Sequence, residues 1–244
     1  MSKCFWLLFL LFFCIHFTNA QKDTTIVKQP NQKSFLSKTV LPVTLIVAGS
    51  LYSGTQSEKN VQVDVRNRVG NTYHNKADDY IQYIPFAQVY IGDIIGLEAK
   101  NHWFHQTKNM VISSVGTGII VHSFKRLIGK ERPDGSSNHS FPSGHTSNSF
   151  VGASVLYLEF KGSTPIYAYS GFLISSATGG LRVMNNRHWV SDVVAGAGVA
   201  ILVTHLVYHF EPLKNWNPFK NSENVTFYPD YNGEQFTFTA GYKF

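Results

Sequence analysis

Apolar positions recur at helical spacing along most of this chain, in runs separated by polar stretches. Val40 to Tyr52 is the first such run after a polar lead-in, with Pro42 tolerated near its start. Gly54 to Asp79 is polar, rich in Asn and Asp, and reads as a loop with at most one short helix. Asp79 to Leu97 is apolar with Gln82, Gln88 and Asp93 interspersed, a helix expected after an Asp79 cap. Trp103 to Ile128 follows, with Val111, Val115, Ile119 and His122 near one face. Thr146 to Phe160, Pro165 to Arg182 and Trp189 to Phe210 complete the pattern. The last two carry small residues, among them Gly171, Gly179, Gly180, Gly196 and Gly198, that let helices approach closely. Beyond them the period changes. Val225 to Tyr231 and Glu234 to Phe244 alternate around Asn232-Gly233, a hairpin signal that places Phe236, Phe238, Ala240, Tyr242 and Phe244 on one face. The ending looks like the last strand of an outer-membrane barrel, but one hairpin closes no barrel, and packing on the helical body is the expectation. The pattern predicts an all-α bundle of about six helices with a short C-terminal β-hairpin. No internal repeat or low-complexity block interrupts it.

Residues 1–20 have the form of a secretory signal: Lys3, an apolar run from Phe5 to Phe17 broken by His16, then Thr18-Asn19-Ala20. The alternative is an uncleaved anchor helix. Both cysteines, Cys4 and Cys14, fall in this segment, so a chain cut there holds no disulfide and no cysteine metal site. The expected organisation is a signal at 1–20, a polar, extended or disordered lead-in at 21–38, a helical domain at 39–212 and a hairpin tail at 221–244. Charged residues make up only 15% of the chain, and the net charge is +6 with ten histidines. That balance suits an anionic substrate or membrane surface. It does not suit nucleic acid, because the basic residues are scattered and the one dense run, Lys125 to Arg132, belongs to a motif. A membrane span needs about twenty mostly apolar residues, and several of these runs are shorter. With a cleaved signal and three crossing helices, the Lys125 end would face the cytoplasm. The expected localisation is the periplasm or cell envelope, with membrane association and the site facing outward.

Three segments carry chemistry: Lys125 followed by Arg132-Pro133, the turn Pro142-Ser143-Gly144-His145, and Arg182 followed by His188 and Asp192. Lys125, Arg132 and Arg182 can surround an anion, the guanidinium as a planar fork and the ammonium as a point charge. Ser143 offers a hydroxyl, and Gly144 an amide that no side chain blocks, at the start of a helix whose free amides favour an anion. His188 and Asp192 are four apart and share a face if helical. The carboxylate then fixes one imidazole nitrogen and frees the other to attack. His145 remains for proton transfer. Two histidines in opposite protonation states predict a bell-shaped pH profile. The spacings of His102 with His105 and of His205 with His209 could bind metal, but no acidic pattern supports them, so they are read as structural.

The order K-x6-R-P, P-S-G-H and R-x5-H-x3-D resembles the type 2 phosphatidic acid phosphatase superfamily, which includes bacterial class A acid phosphatases and vanadium haloperoxidases. The resemblance covers about 125–192. Membrane members of the family carry the site on the outer face, which implies that either the Asp79–Leu97 helix does not cross or the body is mainly extracytoplasmic. It implies that Lys125, Arg132 and Arg182 bind phosphate with Ser143 and Gly144. It also makes His145 the acid/base, His188 the nucleophile that becomes a phosphohistidine, and Asp192 its partner. One departure is Leu181 where the family's third motif usually opens with Ser. Asn185 or Arg187 is expected to touch the leaving group.

The expected activity is a metal-independent phosphatase without cofactor, acting on a lipid phosphate or diphosphate such as phosphatidate, phosphatidylglycerophosphate, a polyprenyl diphosphate or lipid A. A soluble phosphomonoester is the runner-up. A vanadium haloperoxidase and a non-catalytic envelope protein that binds lipid phosphates are the rivals. The sequence leaves the oligomeric state open.

Overall fold

The structure is a computed structural model that describes residues 32–216, 225–231 and 235–242. The signal and the first part of the lead-in, the Asn232-Gly233 turn and Phe244 lie outside the described residues. The chain divides into a helical unit ending at Phe210 and a second unit from Glu211 onward. The helical unit contains α1 (Gln32–Tyr52), α2 (Gln56–Val69), α3 (Ala77–Ile81), α4 (Ile84–Ile94), α5 (Trp103–Ile128), α6 (Gly144–Phe160), α7 (Pro165–Met184) and α8 (Val190–Phe210). In the second unit, β1 (Val225–Tyr231) and β2 (Phe236–Tyr242) pair antiparallel, with Val225 opposite Tyr242 and Tyr231 opposite Phe236.

Three boundaries differ from expectation. α1 begins at Gln32 and carries Pro42 inside it, so residues 32–38 are helical rather than extended. The polar stretch after Gly54 contains α2, fourteen residues long, with Thr55 as its cap: the Thr55 hydroxyl accepts from Glu58 N at 3.2 Å. Asp79 caps nothing. It sits inside the short α3, and α4 starts from Tyr83 with Pro85 in its first turn.

α6 is the centre of the bundle. Val151, Ala153, Val155, Leu156, Leu158 and Phe160 are all buried, as a helix apolar on every side requires. Burial of Leu156 and Phe160 stabilises by on the order of 2 kcal/mol each. Glycines set the helix spacing. A Cβ on Gly171 would fall 3.0 Å from Ala153 Cα, and one on Gly198 would fall 2.7 Å from Pro42 O. The contacts also give direction. Gly49 meets Ser191 and Ala195, and Gly198 meets Pro42 and Ile46, so α1 runs antiparallel to α8. Gly116 meets Val203 while Val121 packs with Val199, so α5 does too. Gly179 meets both Val193 and Thr146, setting α7 against α8 and α6. Phe86 meets Gly152 and Phe160 meets Gly92, so α4 runs alongside α6. α1, α5 and α7 therefore end where α4, α6 and α8 begin. Every motif residue lies at that end.

Among the described residues, three helices are long and apolar enough to cross a membrane, within Phe35–Tyr52, Trp103–Ile128 and Val190–Phe210. α4 has eleven residues, about 16 Å of helix, short of a bilayer's hydrocarbon core. On α5, Val111, Val115 and Ile119 do share a face, and it points away from the core: they are 54%, 56% and 63% exposed. Leu36, Val40, Leu41 and Leu51 of α1 are likewise exposed. These are the surfaces a lipid environment would cover.

Candidate active site

The motif side chains come from helix ends and from the loops that join them. Gly129, at φ 61°, closes α5 in the left-handed conformation and leaves Lys125 in the last turn. Its ammonium donates to His139 O at 2.7 Å and Ser140 O at 3.3 Å. Arg132 lies on the following loop, pinned by Arg132 N to Ser137 O (2.9 Å) and by Trp189 Nε1 to Glu131 O (2.8 Å). Ser143 caps α6, and its amide donates to Asp192 O at 2.9 Å, so the Pro-Ser-Gly-His turn is tied to α8. The Ser143 hydroxyl is buried and accepts from Thr146 Oγ1 at 2.9 Å. A side chain at Gly144 would grow toward Lys125, whose Cε is 4.0 Å from the Cβ position.

Arg182 closes α7, where a cation suits the helix C-terminus. Its Nη1 donates to Asp78 Oδ2 at 2.7 Å. The Nε atoms of Arg132 and Arg182 are buried without a partner among the described residues. Burial and then Arg182 push the Arg132 pKa down. Lys125 in turn lies within the fields of Arg132, Arg182 and Asp192. The three cations from three segments therefore share one neighbourhood.

His188 is 1% exposed. It precedes α8 rather than lying on it, so the expected helical i,i+4 face is not what brings it to Asp192. Asp192 sits in the first turn of α8, where its Oδ2 accepts from Trp189 N at 2.9 Å, half of a capping box. The same oxygen takes His188 Nδ1 at 3.3 Å and a short hydrogen bond from Ser140 Oγ. A carboxylate only accepts, so Nδ1 is the nitrogen that donates, and the unprotonated Nε2 has no hydrogen-bond partner among the described residues. Burial holds the His188 pKa at about 4, against the pull of Asp192.

His145 is half-buried, and its Nε2 lies 3.0 Å from Asp79 Oδ1. Burial and Arg182 hold its pKa below the ordinary value and outweigh Asp79. Both histidines lie in the field of Arg182. The expected contacts of Asn185 and Arg187 differ. Asn185 is buried and donates to Asp78 Oδ1 (3.1 Å) and Asn75 O (2.7 Å), bracing the loop before α3. Arg187 pairs with Asp134 at 3.1 Å.

Asp78, Asp79, Glu58 and Lys130 are site neighbours that are not among the defining residues of the motifs. Thr55-Gln56-Ser57-Glu58 has the form of a capping box, the one sequence signal for Glu58. Nothing local marks the other three.

Residues 120–216 match the family model of the PAP2 superfamily. The chain is also 34% identical over 172 residues to the lipid A 1-phosphatase of Porphyromonas gingivalis, covering 69% of this chain and 38% of that protein. It thus spans well under half of that relative's length. Among solved structures, it is similar to the transmembrane PAP2-type phosphatidylglycerolphosphate phosphatase of Bacillus subtilis. That match has a TM-score of 0.51 at 19% identity and covers 74% of this chain and 99% of the other. This likeness is one of fold. Aquifex aeolicus LpxE also matches, with TM-score 0.44 and 20% identity over 60% of this chain and 94% of its own. The matched segment contains all three motifs.

Proposed function

We propose that this PAP2 domain hydrolyses a phosphate monoester or diphosphate carried on a lipid, through a phosphohistidine on His188. The reading is carried by one observation: a buried imidazole, held at Nδ1 by Asp192, lies in the fields of Lys125 and Arg182, whose fields Arg132 shares. In the first step His188 Nε2 bonds to phosphorus as the ester oxygen leaves. Lys125, Arg132 and Arg182, with Ser143 and the Gly144 amide, hold the anionic oxygens. His145 gives a proton to the leaving oxygen. In the second step His145 takes a proton from water, whose oxygen displaces His188 from phosphorus and frees phosphate. A low His188 pKa keeps the nucleophile neutral. His145 must carry a proton in the first step, and a dianionic phosphate bound beside it would raise its pKa.

The exposed apolar faces of α1 and α5 favour a lipid over a soluble ester. The relative named as a lipid A 1-phosphatase makes phosphorylated lipid A one candidate, beside phosphatidate, phosphatidylglycerophosphate and a polyprenyl diphosphate. A site at the outer face of the membrane is the proposed orientation. Because α1 and α5 run the same way, a crossing α1 then starts on the inner face. A leader removed outside after residue 20 is not compatible with that arrangement, whereas an uncleaved helix crossing from outside to inside is. Locating an N-terminal tag relative to the membrane decides between these arrangements.

The test is phosphate release by detergent-solubilised protein from lipid phosphates and from p-nitrophenyl phosphate, with a chelator present and with His188→Ala alongside. Release from lipid phosphates, unaffected by the chelator and absent in His188→Ala, is expected. Equal turnover of the soluble ester favours an acid phosphatase. Halide oxidation with vanadate and peroxide, or lipid binding without turnover, would displace the proposal.

A further inference from the structure

Lys130 lies two residues before Arg132 and carries the same charge, yet its surroundings differ from those of the three motif cations. An ammonium has three N–H donors. Those of Lys130 face three acceptors: the Glu58 carboxylate (both oxygens 3.1 Å), Ser191 Oγ (2.7 Å) and Asp192 Oδ1 (3.0 Å). The side chain is 12% exposed, Glu58 1% and Asp192 0%. The ammonium also sits over the rings of Trp189 (5.4 Å) and Phe141 (5.8 Å). No donor is left for a substrate. Lys125 has two carbonyl partners, which leaves it one N–H for an anion.

We propose that Lys130 and Glu58 are positioning residues that clamp Asp192 and thereby set the His188 tautomer; the inference rests on the phosphohistidine reading. The two carboxylate oxygens of Asp192 divide the work. Oδ1 takes Lys130, and Oδ2 takes His188, Ser140 and Trp189 N. Glu58 is anchored independently: Oε2 accepts from Gly54 N at 2.7 Å and Oε1 from Ser191 N at 3.2 Å. The first turn of α2 is thus stapled to the first turn of α8. Without the cation, two buried carboxylates face each other, and a proton shared between them frees Asp192 to turn away from Nδ1. Substrate phosphate does not enter this network, so the clamp acts on the rate of attack and not on binding.

The test compares Lys130→Met, Glu58→Gln and Arg132→Met with wild type, using phosphatidate micelles as substrate and inorganic phosphate as competitor. Lys130→Met should lower kcat about ten- to a hundred-fold through misplacement of the nucleophile. The inhibition constant of phosphate should not change. Arg132→Met should weaken phosphate by about ten-fold or more, the loss of a charged hydrogen bond. Glu58→Gln keeps the volume and should show a smaller kcat loss with the same split; it carries the test if Lys130→Met does not fold. Phosphate inhibition weakened in Lys130→Met as in Arg132→Met, or an unchanged kcat, overturns the clamp. A second readout needs no turnover: the imidazole nitrogen NMR spectrum of histidine-labelled protein, with His188 assigned by its loss in His188→Asn. Wild type should show one tautomer, protonated at Nδ1, and Lys130→Met an average of two. An unchanged spectrum in Lys130→Met overturns the clamp. A wild type that holds this tautomer but releases no phosphate overturns the phosphatase reading and leaves the clamp standing.

Discussion

Replacing Gly196 by alanine tests how the fold holds the site turn against α8. A Cβ at this position would lie 2.8 Å from Ser143 O and 2.8 Å from Ser147 Oγ. Neither can yield cheaply. Ser143 O accepts Ser147 N at 3.0 Å and Ser147 Oγ at 2.7 Å, the first bonds of α6, and Ser143 N is tied to Asp192 O. Relief of the contact needs a separation of about half an ångström between the turn and α8, given a normal carbon contact distance. Overpacking of this kind costs about 1–3 kcal/mol, against a helix-propensity gain of at most about 1 kcal/mol for leaving glycine. The net loss is about 1–2 kcal/mol, a fall in Tm of roughly 3–6 °C for a chain of this size. Because a 1 Å misplacement can cost about a hundred-fold, half of that predicts a kcat loss of about ten-fold. Gly180→Ala is the control. Nothing lies within 4 Å of its Cβ position, so it should leave kcat alone and raise stability slightly. Thermal unfolding and phosphate release on both variants make the check. Equal Tm and kcat for Gly196→Ala and Gly180→Ala would refute the close approach.

The remaining predictions concern charge. With His188 held at about 4, the acid limb of the kcat/KM profile should fall near pH 4, and a limb near the free-imidazole value of 6.5 would contradict the burial argument. The same depression makes the fold lose stability as pH drops from 6.5 toward 4, because the unfolded imidazole takes up a proton first. The loss is about 3 kcal/mol at most and should be absent in His188→Asn, measured by denaturant unfolding at the two pH values. Asp79 raises the His145 pKa, so Asp79→Asn should move the alkaline limb to lower pH, and a shift upward would remove Asp79 from the role. Asp192→Asn should cut kcat by about a thousand-fold or more through loss of the tautomer, with little change in phosphate inhibition.

The helices α5, α7 and α8 were legible because each buries or exposes an apolar stripe, which is what periodicity reports, and α6 because its apolar positions run all round it. α2 was not. Its buried residues are Glu58 and Gln62, while Val63 is 57% exposed. It is held by polar reach, with Gln62 Nε2 on Val183 O (3.1 Å) and Arg66 Nη1 on Met184 O (2.8 Å), which satisfy carbonyls at the end of α7. A hydrophobic scan is blind to that kind of docking. The site divides the same way. Lys125, Arg132, Ser143, Gly144, His145, Arg182, His188 and Asp192 stand at spacings that mark them together. Asp78 and Asp79 reach Arg182 and His145 only because α3 folds over the site. No local pattern carries a contact across a hundred residues. Lys130 was hidden inside the first motif as one more basic residue, and only its saturated set of acceptors separates it from Lys125.

Acid quenching destroys a phosphohistidine, but alkaline quenching of protein mixed with lipid phosphate radiolabelled at phosphorus preserves it. Label on the peptide containing His188, abolished in His188→Ala and discharged by water at the rate of turnover, is the predicted result. Steady phosphate release with no labelled protein, or label on His145 instead, would contradict the central claim.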